Sequence, residues 1–232
     1  MLFLILAFIP FLADAMLAVL LRDRQLTANY VRYVIALSAG LVISAAFFEL
    51  LPEANIEANA VFVALGFFIF YLVEKTTMLH ACGEEECEAH SLGRLTAIGM
   101  ASDNVVDGLG IAVAYHINPI LGMIIALAVI SHEVPQAIAS ASLLRREGRP
   151  RNEVVLLLSF AGAMYPLGAA LSLLIPEELY TIIVAFVAGV FLYIGAGDLL
   201  MEAHRRFNWR IILSVLLGGA IMFMTGTVLH TV

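Results

Sequence analysis

Charged residues are scarce in this sequence: they make up 13% of its 232 positions, whereas 62% are hydrophobic. A soluble domain carries about 25% charged residues and only about half apolar ones, so the composition excludes an ordinary soluble domain. No stretch between the apolar runs is long enough for a separate soluble domain, and there is no low-complexity tail. The composition predicts an all-α polytopic membrane protein, with residues 1–232 forming a single transmembrane domain.

Apolar runs of about the length that spans a bilayer recur eight times, which predicts eight transmembrane helices. They lie at roughly 1–21, 30–52, 59–79, 95–115, 119–143, 153–175, 180–201 and 210–231. The first run also lacks a basic n-region and continues to Leu21, past the cleavage-like Ala13-Asp-Ala15. A signal peptide is therefore the less favoured interpretation of that run.

Lysine and arginine are missing from every second loop of this eight-span arrangement. All twelve basic residues lie in or beside the first, third, fifth and seventh loops. Short cytoplasmic loops collect Lys and Arg, so these loops are predicted to be cytoplasmic and both termini extracytoplasmic. The formal net charge of −7 suits attraction of cations and argues against nucleic acid as a partner. The compact chain favours a prokaryotic inner membrane.

Two polar motifs interrupt the apolar runs of spans four and five. Residues four apart share one face of a helix, so Asp103 pairs with Asp107 and His132 pairs with Gln136. Carboxylates and an imidazole inside a bilayer need a cation, protons or each other to offset their desolvation. The mixed oxygen and nitrogen donors predict a site for a borderline first-row divalent cation.

Other residues could lie on an ion path. Span one carries the ionisable Asp14, for which a bond to a neighbouring helix and a place on the path are equally favoured. The third loop, 80–93, is rich in acids, thiols and imidazoles that could capture a divalent metal. Its candidate ligands are His80, Cys82, Cys87 and His90. The alternative is an acidic solvated loop with incidental thiols.

Two similar hexapeptides lie in opposite halves of the chain. Glu49-Leu-Leu-Pro-Glu-Ala54 ends span two, and Asp198-Leu-Leu-Met-Glu-Ala203 ends span seven. Such a match, at the outer end of span two and near the inner end of span seven, is expected of an inverted repeat that relates spans one to three with spans six to eight.

At these motifs the sequence resembles the ZIP family of divalent metal transporters, essentially over the whole chain. The resemblance lies in Asp103-Asn-Val-Val-Asp-Gly108, His132-Glu-Val-Pro-Gln136, Leu50-Leu-Pro-Glu-Ala54 and Gly197-Asp-Leu-Leu-Met-Glu202. It implies a 3+2+3 helix arrangement and import of Zn²⁺, Fe²⁺ or Mn²⁺ into the cytosol through a site between spans four and five. An elevator-like movement and a homodimer are also implied. The metal would be substrate, and no prosthetic group is expected.

The sequence departs from the family pattern at two ligand positions. The family usually has His where this chain has Asp103, and Glu or His where it has Gln136. In members with two metals that Glu bridges them and span six can add another Glu, but the span-six stretch around Tyr165 has no acid. One metal is therefore expected, and Asp in place of His favours Mn²⁺ or Fe²⁺ over Zn²⁺.

The expected roles follow from these departures. Asp103, Asp107, His132 and Gln136 are predicted to hold the metal, with Asn104 and Glu133 in a supporting or weak second position. Glu49, Asp198, Glu202 and His204 are predicted to line the pathway, the last three towards the cytosol. His132-Glu133 also begins like the HExxH motif of metalloproteases, but Gln136 replaces the second His and Pro135 would distort the helix. A metal sensor or a structural membrane protein is the other alternative, and an enzyme is not predicted.

Overall fold

The computed structural model describes residues 2–20, 28–81, 92–146, 148–204 and 208–230. Within these ranges the chain forms helices and short connections, without a strand. We number its long helical segments α1 to α8. They are α1 Leu2–Leu20; α2 Ala28–Ala45, continued by the π-helical turn Ala46–Leu50 and by Leu51–Glu53; α3 Ile56–Ala81; α4 Leu92–Ile117; α5 Pro119–Arg146; α6 Arg151–Gly162 and Met164–Leu171, followed by the 3-10 turn Ser172–Leu174; α7 Tyr180–Leu192, continued by the π-helical turn Tyr193–Leu199 and by Leu200–Ala203; and α8 Trp209–His230.

Six candidate membrane spans occur in the described part of the chain, judged by length and composition. They are Val31–Glu53, Ile56–Thr76, Pro119–Ile138, Arg151–Leu174, Glu177–Ala203 and Trp209–Val228. The apolar part of α1, Leu2–Leu17, is shorter, and α4 with its two aspartates is not among the six. The prediction of an all-helical polytopic membrane protein is confirmed, while the count of eight spans stays a prediction.

The outward surfaces of α3 and α8 are strongly apolar. Phe68 and Leu72 of α3 are 59% and 56% exposed, and Leu216 and Met224 of α8 are 62% and 64% exposed. Water would disfavour so much contiguous apolar surface, whereas lipid tails would accept it. These faces therefore suit a bilayer.

The described helices reach into both ends of the predicted third loop, 80–93. Helix α3 continues to Ala81 and α4 already begins at Leu92. Cys82, Cys87 and His90, together with the side chain of His80, lie outside the described residues.

The helices pack in two groups. In the first, α1, α4, α5 and α6 surround one another; in the second, α2 packs on α8 and α3 packs on α7. Contacts of α2 with α5 and of α7 with α4 join the groups. The first group holds both polar motifs, so the candidate site lies inside it. The second group packs against the first through α2 and α7.

Glycines allow the backbones of α4 and α6 to touch. A Cβ added at Gly108 of α4 would lie 2.0 Å from the carbonyl oxygen of Tyr165, and one added at Gly168 of α6 would lie 2.0 Å from that of Val105. A real Cβ cannot approach an oxygen so closely, so each helix needs glycine where the other crosses it. This close contact with α6 fixes the position of α4 at Gly108, the residue that follows Asp107.

Helix α6 is interrupted beside this contact. It breaks at Ala163, between Arg151–Gly162 and Met164–Leu171. Pro166 has no N–H to donate to the carbonyl of Gly162 four residues earlier, and its ring crowds that carbonyl. Helix α6 thus consists of two helical pieces, which together belong to one candidate span, Arg151–Leu174.

Candidate metal centre

Asp103 and Asp107 of α4 and His132 of α5 form a compact cluster. One ligand atom from each lies within 4.8 Å of the other two. The three residues are 5%, 0% and 0% exposed, respectively. The short connection at Asn118 makes α4 and α5 antiparallel neighbours, so the i, i+4 pair on one helix meets the first residue of the motif on the other. Two carboxylates and an imidazole at this spacing could hold one divalent metal ion.

The imidazole of His132 is oriented by its own helix. Its Nδ1 lies 3.1 Å from the carbonyl oxygen of Ala128, and its Nε2 lies 3.1 Å from Oδ2 of Asp107. We assign the proton of the neutral ring to Nδ1, because a carbonyl oxygen can only accept. Nε2 then presents its lone pair to the cluster, which is the tautomer that a metal requires.

An aromatic side chain from the second helix group packs against the cluster. The ring of Phe191 of α7 meets the ring of His132 edge to face, with centroids 5.8 Å apart and an interplanar angle of 74°. Phe191 is fully buried. The Phe191 ring excludes water from this side of His132 and offers it no polar atom. Electrostatic interactions inside the cluster are therefore stronger than they would be in a hydrated site.

The three other predicted ligands, Gln136, Asn104 and Glu133, differ in their burial and in the residues they contact. The side chain of Gln136 is half-buried and interacts with the carboxyl group of Asp103. Asn104 is fully buried, and neither atom of its amide has a hydrogen-bond partner. Glu133 is 1% exposed and lies beside Asp14 of α1 and Tyr165 of α6. Gln136 is thus placed to assist the cluster, whereas Glu133 belongs to a neighbouring set of polar groups.

The proline of the fifth-span motif leaves a carbonyl that a neighbouring helix uses. Pro135 lies inside α5, which continues through it. Pro135 cannot donate to the carbonyl of Ser131, four residues earlier, and the hydroxyl of Ser38 of α2 donates to that oxygen. A neighbouring helix thus supplies the donor that Pro135 cannot. The bond ties α2 to α5 one residue before His132.

Replacing Ser38 with alanine should lower the stability of the protein. The change leaves the buried carbonyl of Ser131 without its donor, which should reduce the free energy of unfolding by about 1 kcal/mol. Ser214→Ala is the matched control, because the Ser214 hydroxyl donates to Arg210 of its own helix, 2.9 Å away. Thermal unfolding of the two purified variants in detergent measures the difference. Equal midpoints would show that the bond between α2 and α5 contributes nothing.

Two of the four predicted pathway residues lie in the π-helical turns of α2 and α7. Glu49 is buried in the π-helical turn of α2 and lies against Gly226 of α8. Asp198 is half-buried in the π-helical turn of α7, where Glu74, Lys75, Glu202 and His132 are among the charges that act on it. Single π-helical turns often occur at functional sites. Glu202 is half-buried and His204 is exposed, so the polar groups of α7 become more accessible towards its end.

Three contributors to the site's surroundings were missed by sequence reasoning. The sequence marks Tyr165 only as part of a stretch without an acid, whereas its fully buried hydroxyl lies beside Glu133. Phe191 and Ser38 sit in otherwise ordinary helical stretches, and no spacing rule links either of them to His132. Pro135 was the one available signal for Ser38, because it implied a carbonyl in need of a donor.

The chain is similar in sequence to known zinc transporters. A family model described as ZIP zinc transporter matches residues 80–226, which include both polar motifs. Zinc transporter ZIP13 of Pongo abelii is 24% identical over 213 aligned positions, covering 82% of this chain and 64% of the relative. Zinc transporter ZIP5 of Mus musculus is 29% identical over 156 positions, covering 66% of this chain and 29% of the relative. Zinc transporter ZIP4 of Rattus norvegicus is 32% identical over 132 positions, covering 54% of this chain and 20% of the relative. The chain thus spans less than two thirds of the length of each of these relatives.

Proposed function

This chain belongs to the ZIP zinc transporter family, and we propose that it carries divalent transition-metal cations across a membrane into the cytosol. The observation that carries the proposal is the cluster of Asp103, Asp107 and His132, buried inside an apolar helical protein with its ligand atoms within 4.8 Å of one another. A buried group of this kind is a functional site by default. The relatives named above are zinc transporters, which supports a metal as the substrate.

The residues suggest a route for the metal. Acidic side chains at the end of α2, at the start of α3 and just before α7, among them Glu53, Glu57 and Glu178, would raise the local concentration of cations. The metal would then exchange water for the two aspartates and His132. Release would follow Asp198, Glu202 and His204, whose exposure increases along α7.

The membrane arrangement remains part of the proposal. We propose eight spans with both termini outside, in the 3+2+3 pattern, and several observations support it. The two matching hexapeptides each begin inside a π-helical turn, at Glu49 and at Asp198. The packing of α2 on α8 has its counterpart in the packing of α7 on α3, as an inverted repeat would require.

The exposed faces of α3 and α8 suit lipid or a second copy of the chain, and a homodimer stays an expectation of the family. The relatives come from animals and lend no support to a prokaryotic inner membrane, which also stays a prediction.

The choice of metal depends on Asp103. Carboxylate oxygen is a harder ligand than imidazole nitrogen, so the wild-type site should favour Mn²⁺ or Fe²⁺ over Zn²⁺ relative to a site with His at this position. We expect Asp103→His to raise the ratio of Zn²⁺ to Mn²⁺ uptake by about tenfold, equivalent to about 1.4 kcal/mol of differential binding.

Uptake into proteoliposomes tests both the function and the preference. Zn²⁺, Mn²⁺, Fe²⁺ and Cd²⁺ would each be offered to vesicles containing the wild type, Asp103→His or no protein. Metal binding without flux of any of the four would favour a sensor over a transporter. An unchanged Zn²⁺ to Mn²⁺ ratio in Asp103→His would refute the argument from ligand hardness.

A further inference from the structure

Helices α4 and α5 meet through three side-chain contacts in register. Residues three or four apart share one face of a helix, so such contacts between antiparallel helices recur about every 6 Å. From the outer to the inner end of the proposed spans, the contacts pair Asp107 with His132, Asp103 with Gln136, and Met100 with Ser140. The first two contacts belong to the candidate metal centre. The third continues the same line about one helical turn closer to the predicted cytoplasmic ends of α4 and α5.

The third contact is a hydrogen bond to sulfur. The Ser140 hydroxyl donates to Sδ of Met100, and the two atoms are 2.9 Å apart. Both residues are buried. The bond shows that Sδ of Met100 points into the seam between α4 and α5. Because a thioether is a weak acceptor with two lone pairs, the sulfur keeps a lone pair with which it can bind a metal ion.

The orientation of Ser140 differs from that of other hydroxyls in the helices of this protein. A helical serine commonly donates to a carbonyl three or four residues earlier in its own helix. Ser131, Ser172 and Ser214 do so, at 2.6, 2.7 and 2.9 Å. Ser140 instead donates across the seam to α4. Its orientation therefore follows the contact with Met100 rather than the local geometry of α5.

Apolar side chains surround this sulfur. Met100 belongs to a buried cluster, separate from the main core, whose other members come from α5 and α6 and are Ala141, Leu144, Val154, Leu158 and Ala161. Among these described side chains, Met100 offers the one atom that can bind a cation. A cation that leaves Asp103 towards the cytosol along this face of α4 therefore meets Sδ of Met100 and the Ser140 hydroxyl.

We propose that Met100 is a specificity-determining residue, whose sulfur binds the cation on the cytoplasmic side of Asp103. The inference rests on the proposed function, because it concerns the same ion on its way inward. Asp103 and Met100 are three residues apart on one face of α4, so both side chains reach one ion. Thioether sulfur prefers soft cations, whereas carboxylate oxygen prefers hard ones. The protein should therefore accept the soft ion Cd²⁺ as well as Mn²⁺, although Asp103 alone favours the harder metal.

X-ray absorption by Cd²⁺ bound to the purified full-length protein tests the ligand directly. The chain has two cysteines, Cys82 and Cys87. With both changed to serine, any sulfur bound to Cd²⁺ must come from methionine. We expect a Cd–S scattering shell in this cysteine-free protein and its loss on Met100→Leu, which nearly conserves side-chain volume. Met222→Leu is the control, because Met222 is a fully buried methionine of α8 outside the cluster, and the shell should persist.

The cysteine-free protein decides the question even before the variants are compared. Cd²⁺ bound there by oxygen and nitrogen alone would overturn the proposal and leave Met100 as a packing residue. A Cd–S shell that survives in Met100→Leu would also overturn it, because another methionine would then be the ligand.

Uptake into proteoliposomes separates this inference from the proposed function. In Met100→Leu we expect the ratio of Cd²⁺ to Mn²⁺ uptake to fall about tenfold, as for the loss of a supporting ligand. Uptake of Mn²⁺ itself should stay within about twofold of the wild type, which also shows that the variant is folded. A Cd–S shell without flux of any metal would support Met100 as a ligand while contradicting transport. Flux of both metals at an unchanged ratio would overturn the role of Met100 in specificity.

Discussion

Replacing Asp107 with asparagine should weaken the binding of Zn²⁺ to the purified protein by at least about 100-fold. The change removes one of the two negative charges in the cluster and replaces a carboxylate that has an oxygen 3.1 Å from Nε2 of His132. Even residues that merely support a metal ligand change affinity by about 10–100-fold when mutated, so the loss of a ligand should exceed that range. Titration calorimetry in detergent measures the affinity directly.

The control for this experiment also removes one negative charge, but from a position outside the cluster. Glu178→Gln removes a carboxylate from an exposed position before α7, and its effect on equilibrium binding should be within about twofold, because salt and water screen an exposed charge. Equal affinity in the wild type and Asp107→Asn would mean that the metal binds elsewhere, with the third loop as the first place to look.

Replacing Gly108 with alanine should strongly destabilise the fold. The added Cβ would meet the carbonyl oxygen of Tyr165 at 2.0 Å, and a backbone atom cannot move aside as a flexible side chain can. Helices α4 and α6 would have to separate, and this overpacking should lower the free energy of unfolding by about 3 kcal/mol. The separation would also displace Asp107, which precedes Gly108 in α4.

Gly99 offers a matched control in the same helix. A Cβ added there meets nothing within 4 Å, so Gly99→Ala should leave stability unchanged or raise it by up to about 1 kcal/mol through helix propensity. Thermal unfolding of both variants in detergent tests the pair. If Gly108→Ala unfolded at the same temperature as Gly99→Ala, the close contact between α4 and α6 would not exist in the native protein.

Much of the candidate site follows from spacing within single helices. The i, i+4 rule put Asp103 beside Asp107, and the short connection at Asn118 put their helix against that of His132. Ligand atoms within 4.8 Å agree with this reasoning. The effect of Pro135 was also predictable, because a missing N–H always leaves a carbonyl four residues earlier.

The neighbourhood of Asp14 could not be predicted in the same way. Spacing identifies which residues share a face of one helix, but not which other helix that face meets. Span six is apolar on all sides, so its sequence did not indicate that Tyr165 and Gly162 turn towards Asp14. The meeting of α1, α5 and α6 depends on packing between segments that are far apart in the sequence, and only the three-dimensional structure reveals it.

The central claim is that a divalent metal crosses the membrane through the cluster of Asp103, Asp107 and His132. The most direct test is the uptake of Zn²⁺ and Mn²⁺ into proteoliposomes that contain equal amounts of folded wild-type or Asp107→Asn protein. We predict metal accumulation in the wild-type vesicles and, in the variant, uptake no greater than that of protein-free vesicles. Equal accumulation with the wild type and the variant would contradict the account, because the metal would then be using another route.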